Sequence, residues 1–374
     1  MRIAVNTRLL QKNRYGGIEI FSYEVLKRLT RDHPEHEFIF IFDRKFDSEF
    51  IFADNITPLV AGPRTVHPIM WYLWFEKRIP QLLKKFNADI FFSPDGIIPL
   101  KTNIPCISVI HDINFCHRKH DLPRLKSLYY RKYFMQFARK AMRIVTVSEY
   151  SAVDIAQTWN IDPRKIDVIH NGVSDKFKPL GALNEIKIKG HPVPKPYFLF
   201  VGNISPRKNI SNLIIAYEKY RENYKGSAGL VLTGGSLFNN RHIRNIHANS
   251  AYRDDIVFTG PQDKKTLVRL YSGALALVFI PWFEGFGLPL VEAMKCGTPV
   301  IASNTTAVPE ITGDAAILVN PADTSNIAKE MAGIDNDAEM SNELIKKGIE
   351  RAKEFDWDKT AGLLWQSITR TTKQ

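Results

Sequence analysis

The sequence predicts an α/β protein made of two parallel-sheet units facing a shared cleft. Three observations carry this. Short β-rich runs alternate with amphipathic helical stretches along most of the 374 residues, the pattern of right-handed βαβ units. The alternation stops from about Ser174 to Pro196, where Lys, Pro and Gly accumulate, and then restarts. The length is that of two domains at roughly 100–200 residues each, and 44% apolar residues are enough for two ordinary cores.

In chain order, IAVN (3–6), FIFIF (38–42), DIFF (89–92), CISVI (106–110), RIVTV (143–147) and IDVIH (166–170) read as strands. Helices are expected over 18–29 and 124–142. After the break, YFLFV (197–201), GLVLT (229–233), DIVFT (255–259), LALVFI (275–280), TPVIA (298–302) and AAILV (315–319) read as strands. Residues 338–374 read as helical throughout. The resulting domains are 1–175, a linker over 176–195, 196–350, and a terminal helix over 351–374 that packs back on the first domain.

The net charge of +12 is uneven: residues 1–180 hold 28 Lys and Arg against 19 Asp and Glu, the rest 23 against 20. Such an excess suits an anionic partner, whether nucleic acid, a phospholipid surface or a phosphorylated substrate, and equally suits plain solubility. GALALVFIPWF (273–283), the longest apolar run, is too short for a bilayer at ~20 residues. MRIAVNTRLL lacks the form of a secretory signal. Cys106, Cys116 and Cys296 show neither CxxC spacing nor an even framework, so reduced cytoplasmic thiols are expected.

Ligands of open α/β sheets bind beyond the carboxyl ends of the strands, so the segments after each strand matter most. After 275–280 comes PWFEGFGLP. Pro289 fits a first helical turn, and the glycines allow close backbone approach and positive φ. The amides of Gly287 and Leu288 would face a phosphate. Glu292, one turn into the helix, could accept from two vicinal hydroxyls such as those of a ribose. Glu284 could do the same for a sugar ring. Both carboxylates would also simply favour a positive helix end. After 197–201 comes GNISPRKN, where Gly202 loosens the strand exit. Arg207 and Lys208 stand at a helix start, against its dipole, which suits neutralisation of a diphosphate.

His111, after 106–110, could donate to a sugar hydroxyl or a phosphate, or be a satisfied structural histidine. Ser148 and Ser151 have capping spacing and need no further role. Gly16-Gly17 lies between the first strand and a helix, as a phosphate- or acceptor-facing turn. Neither GxxxxGK[ST], nor GxGxxG after the first strand, nor HExxH, nor a nucleophile elbow occurs. What these residues describe is a cleft enzyme that handles a diphosphate with backbone dipoles and cations, without a metal or a further cofactor.

The chain resembles the retaining glycosyltransferases of family 4, which use the GT-B fold of two Rossmann-like domains. The resemblance runs nearly the whole length. EGFGLPLVEA (284–293) is similar to the family's E-x7-E signature. GNxxxRKN (202–209), VFTG (257–260), PEIxGDAA (309–316), His111-Asp112, SxxS (148–151) and HNGV (170–173) fit in order. The likeness implies sugar transfer from a nucleotide diphosphate donor with retention. Arg207 and Lys208 would bind the diphosphate. The backbone of Gly285, Phe286, Gly287 and Leu288 would hold the distal phosphate and sugar. Glu284 would contact sugar hydroxyls, Glu292 the ribose, His111 the sugar's far end, Gly17 the phosphate side, and backbone from Val257 to Gly260 the base. Where members often carry a serine ahead of the first glutamate, this chain has Trp282-Phe283. A covalent route through Glu284 lacks a paired acid.

The style of the sequence, with WYLWFEKRIPQLL (71–83), resembles mannosyltransferases of surface-polysaccharide assembly, which implies GDP-mannose as donor and a glycan or lipid-linked acceptor. The basic, aromatic stretch 124–143 could rest on an anionic membrane at its inner face, or be a domain helix with buried aromatics. A UDP-sugar-dependent glucosyl-type transferase of the same fold is the alternative. Nucleic-acid binding is the reading from another class, and RNP, zinc and helix-turn-helix signatures are all missing for it. A sugar-nucleotide sensor without turnover is countered by the complete set Arg207, Lys208, Glu284 and Glu292.

Overall fold

A computed structural model of the protein describes residues 1–12, 16–181, 186–188, 191–235 and 241–372. The chain forms two compact units, Met1–Gly172 with Trp357–Gln374, and Val173–Asp356.

In the first unit the strands are apolar almost without interruption, as in FIFIF, which suits parallel strands covered on both faces. They are β1 (Arg2–Asn6), β2 (Glu37–Phe42), β3 (Ile56–Val60), β4 (Ile90–Ser93), β5 (Cys106–Val109), β6 (Arg143–Thr146) and β7 (Ile166–Val168), in the order β3-β2-β1-β4-β5-β6-β7. β1 lies between β2 and β4, with Ile3 opposite both Phe38 and Ile90. β3 escaped the sequence reading because Pro58 breaks its pattern, and an edge strand tolerates such a proline. WYLWFEKRIPQLL runs through a wider turn at Trp74–Arg78, where Ile79 N–H reaches Trp74 O. Pro80 has no N–H for the carbonyl four residues back, and the wide turn absorbs that gap.

The helix Arg124–Lys140 turns Tyr129, Phe134 and Phe137 into the core. Residues 338–374 are not one helix. Ala338–Ala352 and Trp357–Thr372 are separated by four residues in which Phe355 is buried. The second of these helices belongs to the first unit, where Trp357 meets Phe21 and Trp365 stacks on His33 at 3.7 Å. At the two chain crossings Val173 N–H donates to Phe355 O.

The second unit holds a short ribbon, β8 (Lys187–Ile188) with β9 (His191–Pro192), where a linker was expected. Its sheet comprises β10 (Tyr197–Val201), β11 (Gly229–Thr233), β12 (Ile256–Gly260), β13 (Ala276–Phe279), β14 (Val300–Ser303) and β15 (Ile317–Val319), all parallel, in the order β12-β11-β10-β13-β14-β15. Each expected strand is found within about two residues. Among the described residues no helix is long and apolar enough to cross a membrane.

Candidate active site

β10 and β13 lie side by side where the strand order of the second sheet reverses, the position at which open α/β sheets receive ligands. Beyond β10, Gly202 has φ +148, and its carbonyl oxygen lies 1.9 Å from where a Cβ on Gly234 would sit. At the end of β12, Gly260 has φ +72, and its carbonyl accepts from Gly234 N–H at 3.1 Å. Three neighbouring strand exits thus carry no side chain. The residues 236–240 that follow β11 lie outside the described ones.

Pro206–Lys208 then makes a single turn, closed by Asn209 in the left-handed region. Asn209 Nδ2 donates to Pro321 O at 2.8 Å and pins the turn. The loop after β13 is tied to it through Trp282 N–H, which donates to Arg207 O at 2.9 Å. Arg207 Nη1 donates to Phe283 O at 2.8 Å and to Glu284 Oε2 at 3.0 Å. Lys208 Nζ donates to the same oxygen at 2.5 Å, and lies 4.5 Å from the centre of the Phe279 ring. This pairing gives both cations a reason to stand at a helix start that sequence alone did not provide.

Gly285 and Phe286 are buried. Gly287, with φ +95, precedes the helix Leu288–Lys295, and a Cβ there would press on Leu290 at 2.7 Å. Pro289 occupies the first turn as expected. Glu292 follows, 9% exposed, with Oε2 accepting from Tyr271 OH at 2.8 Å. The two carboxyls are driven apart. Burial pushes Glu284 up, but Lys208 and Arg207 outweigh it and hold the group below its ordinary value. Burial pushes Glu292 up to about 7, against the Tyr271 hydrogen bond and the charge of Lys264. Glu284 is therefore an anion at neutral pH, and Glu292 stands near its midpoint.

Residues 183–351 match the family described as glycosyl transferases group 1, and residues 15–177 match glycosyltransferase family 4. The chain is a glycosyltransferase of these families. It is 27% identical over 360 residues to O-antigen chain mannosyltransferase B of Escherichia coli, covering 91% of this chain and 93% of the relative. Two solved structures share its fold. Sucrose-phosphate synthase from Thermosynechococcus elongatus has a TM-score of 0.78 at 18% identity over 99% of this chain and 98% of the other. Anabaena HepE in complex with UDP-glucose has 0.74 at 15% over 99% and 100%. Two Rossmann-like domains of the GT-B kind are thus both expected and found.

Eleven of the glycosyltransferase's expected site residues fall in the second unit, between Gly202 and Glu292. Val257 is farther from the ion cluster, on β12, two strands from β10. Gly17 and His111 belong to the first unit. His111 Nε2 meets Pro94 O at 2.9 Å, the ring stands edge-on to Phe21, and burial draws its pKa down. A neutral ring that donates from Nε2 leaves Nδ1 as an acceptor, so the donation expected of it is already in use. Gly17 opens the helix Gly17–Asp32, where a Cβ on Gly16 would strike the Glu19 carboxylate. Ser148 caps its helix by accepting from Ser151 N–H at 3.1 Å, as its spacing implied.

Three further residues shape the site of this glycosyltransferase and were missed: Gly234, Tyr271 and Thr306. Thr306 has φ +56, uncommon for a β-branched residue. Its Oγ1 accepts from Glu284 N–H at 3.1 Å, while Ala307 N–H donates to Glu284 O at 3.3 Å. Only the Gly-flanked strand exit at 234 left a trace in the sequence.

The first unit has its own reversal point, between β1 and β4. There Arg8 and Asp95 form a buried ion pair at 2.6 Å, with Asn6 Nδ2 donating to Asp95 Oδ1 at 2.8 Å.

Proposed function

We propose that this glycosyltransferase moves a mannosyl group from GDP-mannose to a glycan or lipid-linked acceptor in surface-polysaccharide assembly, with retention and without a metal ion. The observation that carries the reading is the convergence of Arg207 and Lys208 on one Glu284 oxygen beside the start of the helix Leu288–Lys295. Two cations and a helix N-terminus in one place suit a dianionic leaving group. The choice of mannose is supported by the E. coli relative.

In this mechanism the bond from the sugar's anomeric carbon to the diphosphate oxygen breaks, and its electron pair leaves with the nucleotide. Arg207 and Lys208 offset that charge. They part from Glu284 to do so, and its carboxylate turns to the sugar hydroxyls. The acceptor oxygen bonds to the same face, and its proton passes to the departing phosphate oxygen. The ribose hydroxyls donate to Glu292.

A lipid-linked acceptor would place the protein at the inner face of the membrane. The helix Arg124–Lys140 supports this with six Lys and Arg and no acid. Its aromatics are taken up by the core, so the exposed apolar groups there are Leu125 and Leu128. Val66, Ile69 and Leu73 are exposed on the adjoining segment, whose Trp71 packs on Tyr129. Basic and apolar groups together suit an anionic interface.

The direct test is nucleotide release from GDP-mannose and UDP-glucose, with a polyprenyl-linked acceptor and with and without chelator. GDP release that survives chelation, with an α-linked product, is expected. A β-linked product removes retention, and loss restored by magnesium removes the metal-free reading.

A further inference from the structure

Glu292 is held from below by a residue that no part of the mechanism yet uses. Tyr271 lies on the helix Lys264–Ser272 and is fully buried. Its place is fixed from two sides: Thr298 Oγ1 donates to its carbonyl at 2.8 Å, and Phe177 meets its ring edge-on at 5.9 Å. A phenylalanine would satisfy that packing without a hydroxyl to desolvate, and burying an unpaired hydroxyl is unfavourable. The hydroxyl is explained by its one partner, Glu292 Oε2 at 2.8 Å.

Burial pushes the phenol's pKa well above its ordinary value, with the Glu292 charge adding to that, so it stays a donor throughout the physiological range. The groups that face Glu292 are this phenol and Lys264 from the neighbouring helix, with Cys296 just past the end of its own helix. A carboxylate with one oxygen fixed has one rotational choice left. Oε1 makes no hydrogen bond among the described residues, and it has two lone pairs, enough for two vicinal hydroxyls.

We infer that Tyr271 is a positioning residue for the donor: its phenol holds Glu292 Oε2 and so presents Oε1 to the two hydroxyls of the ribose. The inference rests on the nucleotide-sugar reading above. It makes discrimination between ribose and its deoxygenated forms depend on a residue that never touches the ligand.

The test is calorimetry of the full chain and of Tyr271→Phe with three probes: GDP, 2′,3′-dideoxy-GDP and inorganic pyrophosphate, the uridine pair replacing the guanosine pair if GDP does not bind. The wild type should prefer the ribose-bearing nucleotide roughly tenfold or more, the size of a pair of ordinary hydrogen bonds. Tyr271→Phe should lose most of that preference while its pyrophosphate affinity stays the same, which also reports an intact fold. An equal preference in both proteins overturns the role of Tyr271 and leaves the donor reading standing. A fall in pyrophosphate affinity also overturns it, because the residue would then support the whole site. A wild type that binds neither GDP nor UDP overturns the proposed function itself.

Discussion

Glu284 and Glu292 sit at the same helix entrance, yet their surroundings assign them opposite characters. Glu284 lies on the loop, gripped by Arg207 and Lys208, with its backbone N–H and C=O bound by Thr306 and Ala307. Glu292 lies in the helix, with a phenol as its only hydrogen-bonded side-chain partner among the described residues. The first is stabilised as an anion, and burial raises the second to about 7, so that it is half-ionised at neutral pH. Two titratable groups pushed apart in this way divide the labour of a site. Under the proposed function, charge at the leaving group belongs to the loop, and recognition of neutral hydroxyls belongs to the helix.

The largest expected effect comes from deleting the loop's deepest cation. Lys208→Ala should lower turnover on the order of 10²–10³-fold, the loss typical of one preorganised donor at developing charge. Its melting temperature should change far less. Steady-state rates equal to wild type would break the loop half of the comparison.

The sharpest test is of sign. Glu284 has a depressed pKa, so its stabilisation is present above the unfolded value and is lost as pH falls through the folded one. Glu292 has a raised pKa, so its contribution is complete below its ordinary value and is lost as pH rises through about 7. Glu284→Gln should therefore lower the melting temperature at pH 7, and less so near pH 4. Glu292→Gln should raise it at pH 8, by up to ~3 kcal/mol in unfolding free energy, while weakening nucleotide binding. Thermal melts of both variants across pH 4–8 decide this, and shifts of the same sign would dissolve the distinction.

The smallest effect lies in the backbone. Thr306→Ala leaves Glu284 N–H without its acceptor and should destabilise by ~1–2 kcal/mol in denaturant unfolding. Thr306→Gly should sit above it by roughly 1 kcal/mol, because glycine relieves the left-handed strain.

Much of this is legible in the sequence. The strands of the two sheets announce themselves as apolar β-branched and aromatic runs, and Glu284, Gly287, Pro289 and Glu292 are close enough in sequence to be read as one loop entering a helix. β3 was hidden by Pro58, whose tolerance depends on an edge position that only pairing reveals. The break at 353–356 has neither Gly nor Pro to mark it. The grip of Arg207 and Lys208 on Glu284 joins positions 77 and 76 residues apart, and Tyr271 and Thr306 come from separate elements. Local patterns show which groups are near in sequence, whereas these partnerships exist only after the sheet has brought its strand exits together.

Gly234 and Gly260 stand on adjacent strand exits but answer to different constraints. Alanine at 234 would collide with the Gly202 carbonyl, so its exclusion is a matter internal to the chain. At 260 an added methyl would meet no heavy atom within 4 Å among the described residues beyond its chain neighbours, and its φ of +72 disfavours it. That position is a built-in gauge: whatever an alanine there takes from activity, beyond what it takes from unfolding, measures how closely something outside the polypeptide comes to rest.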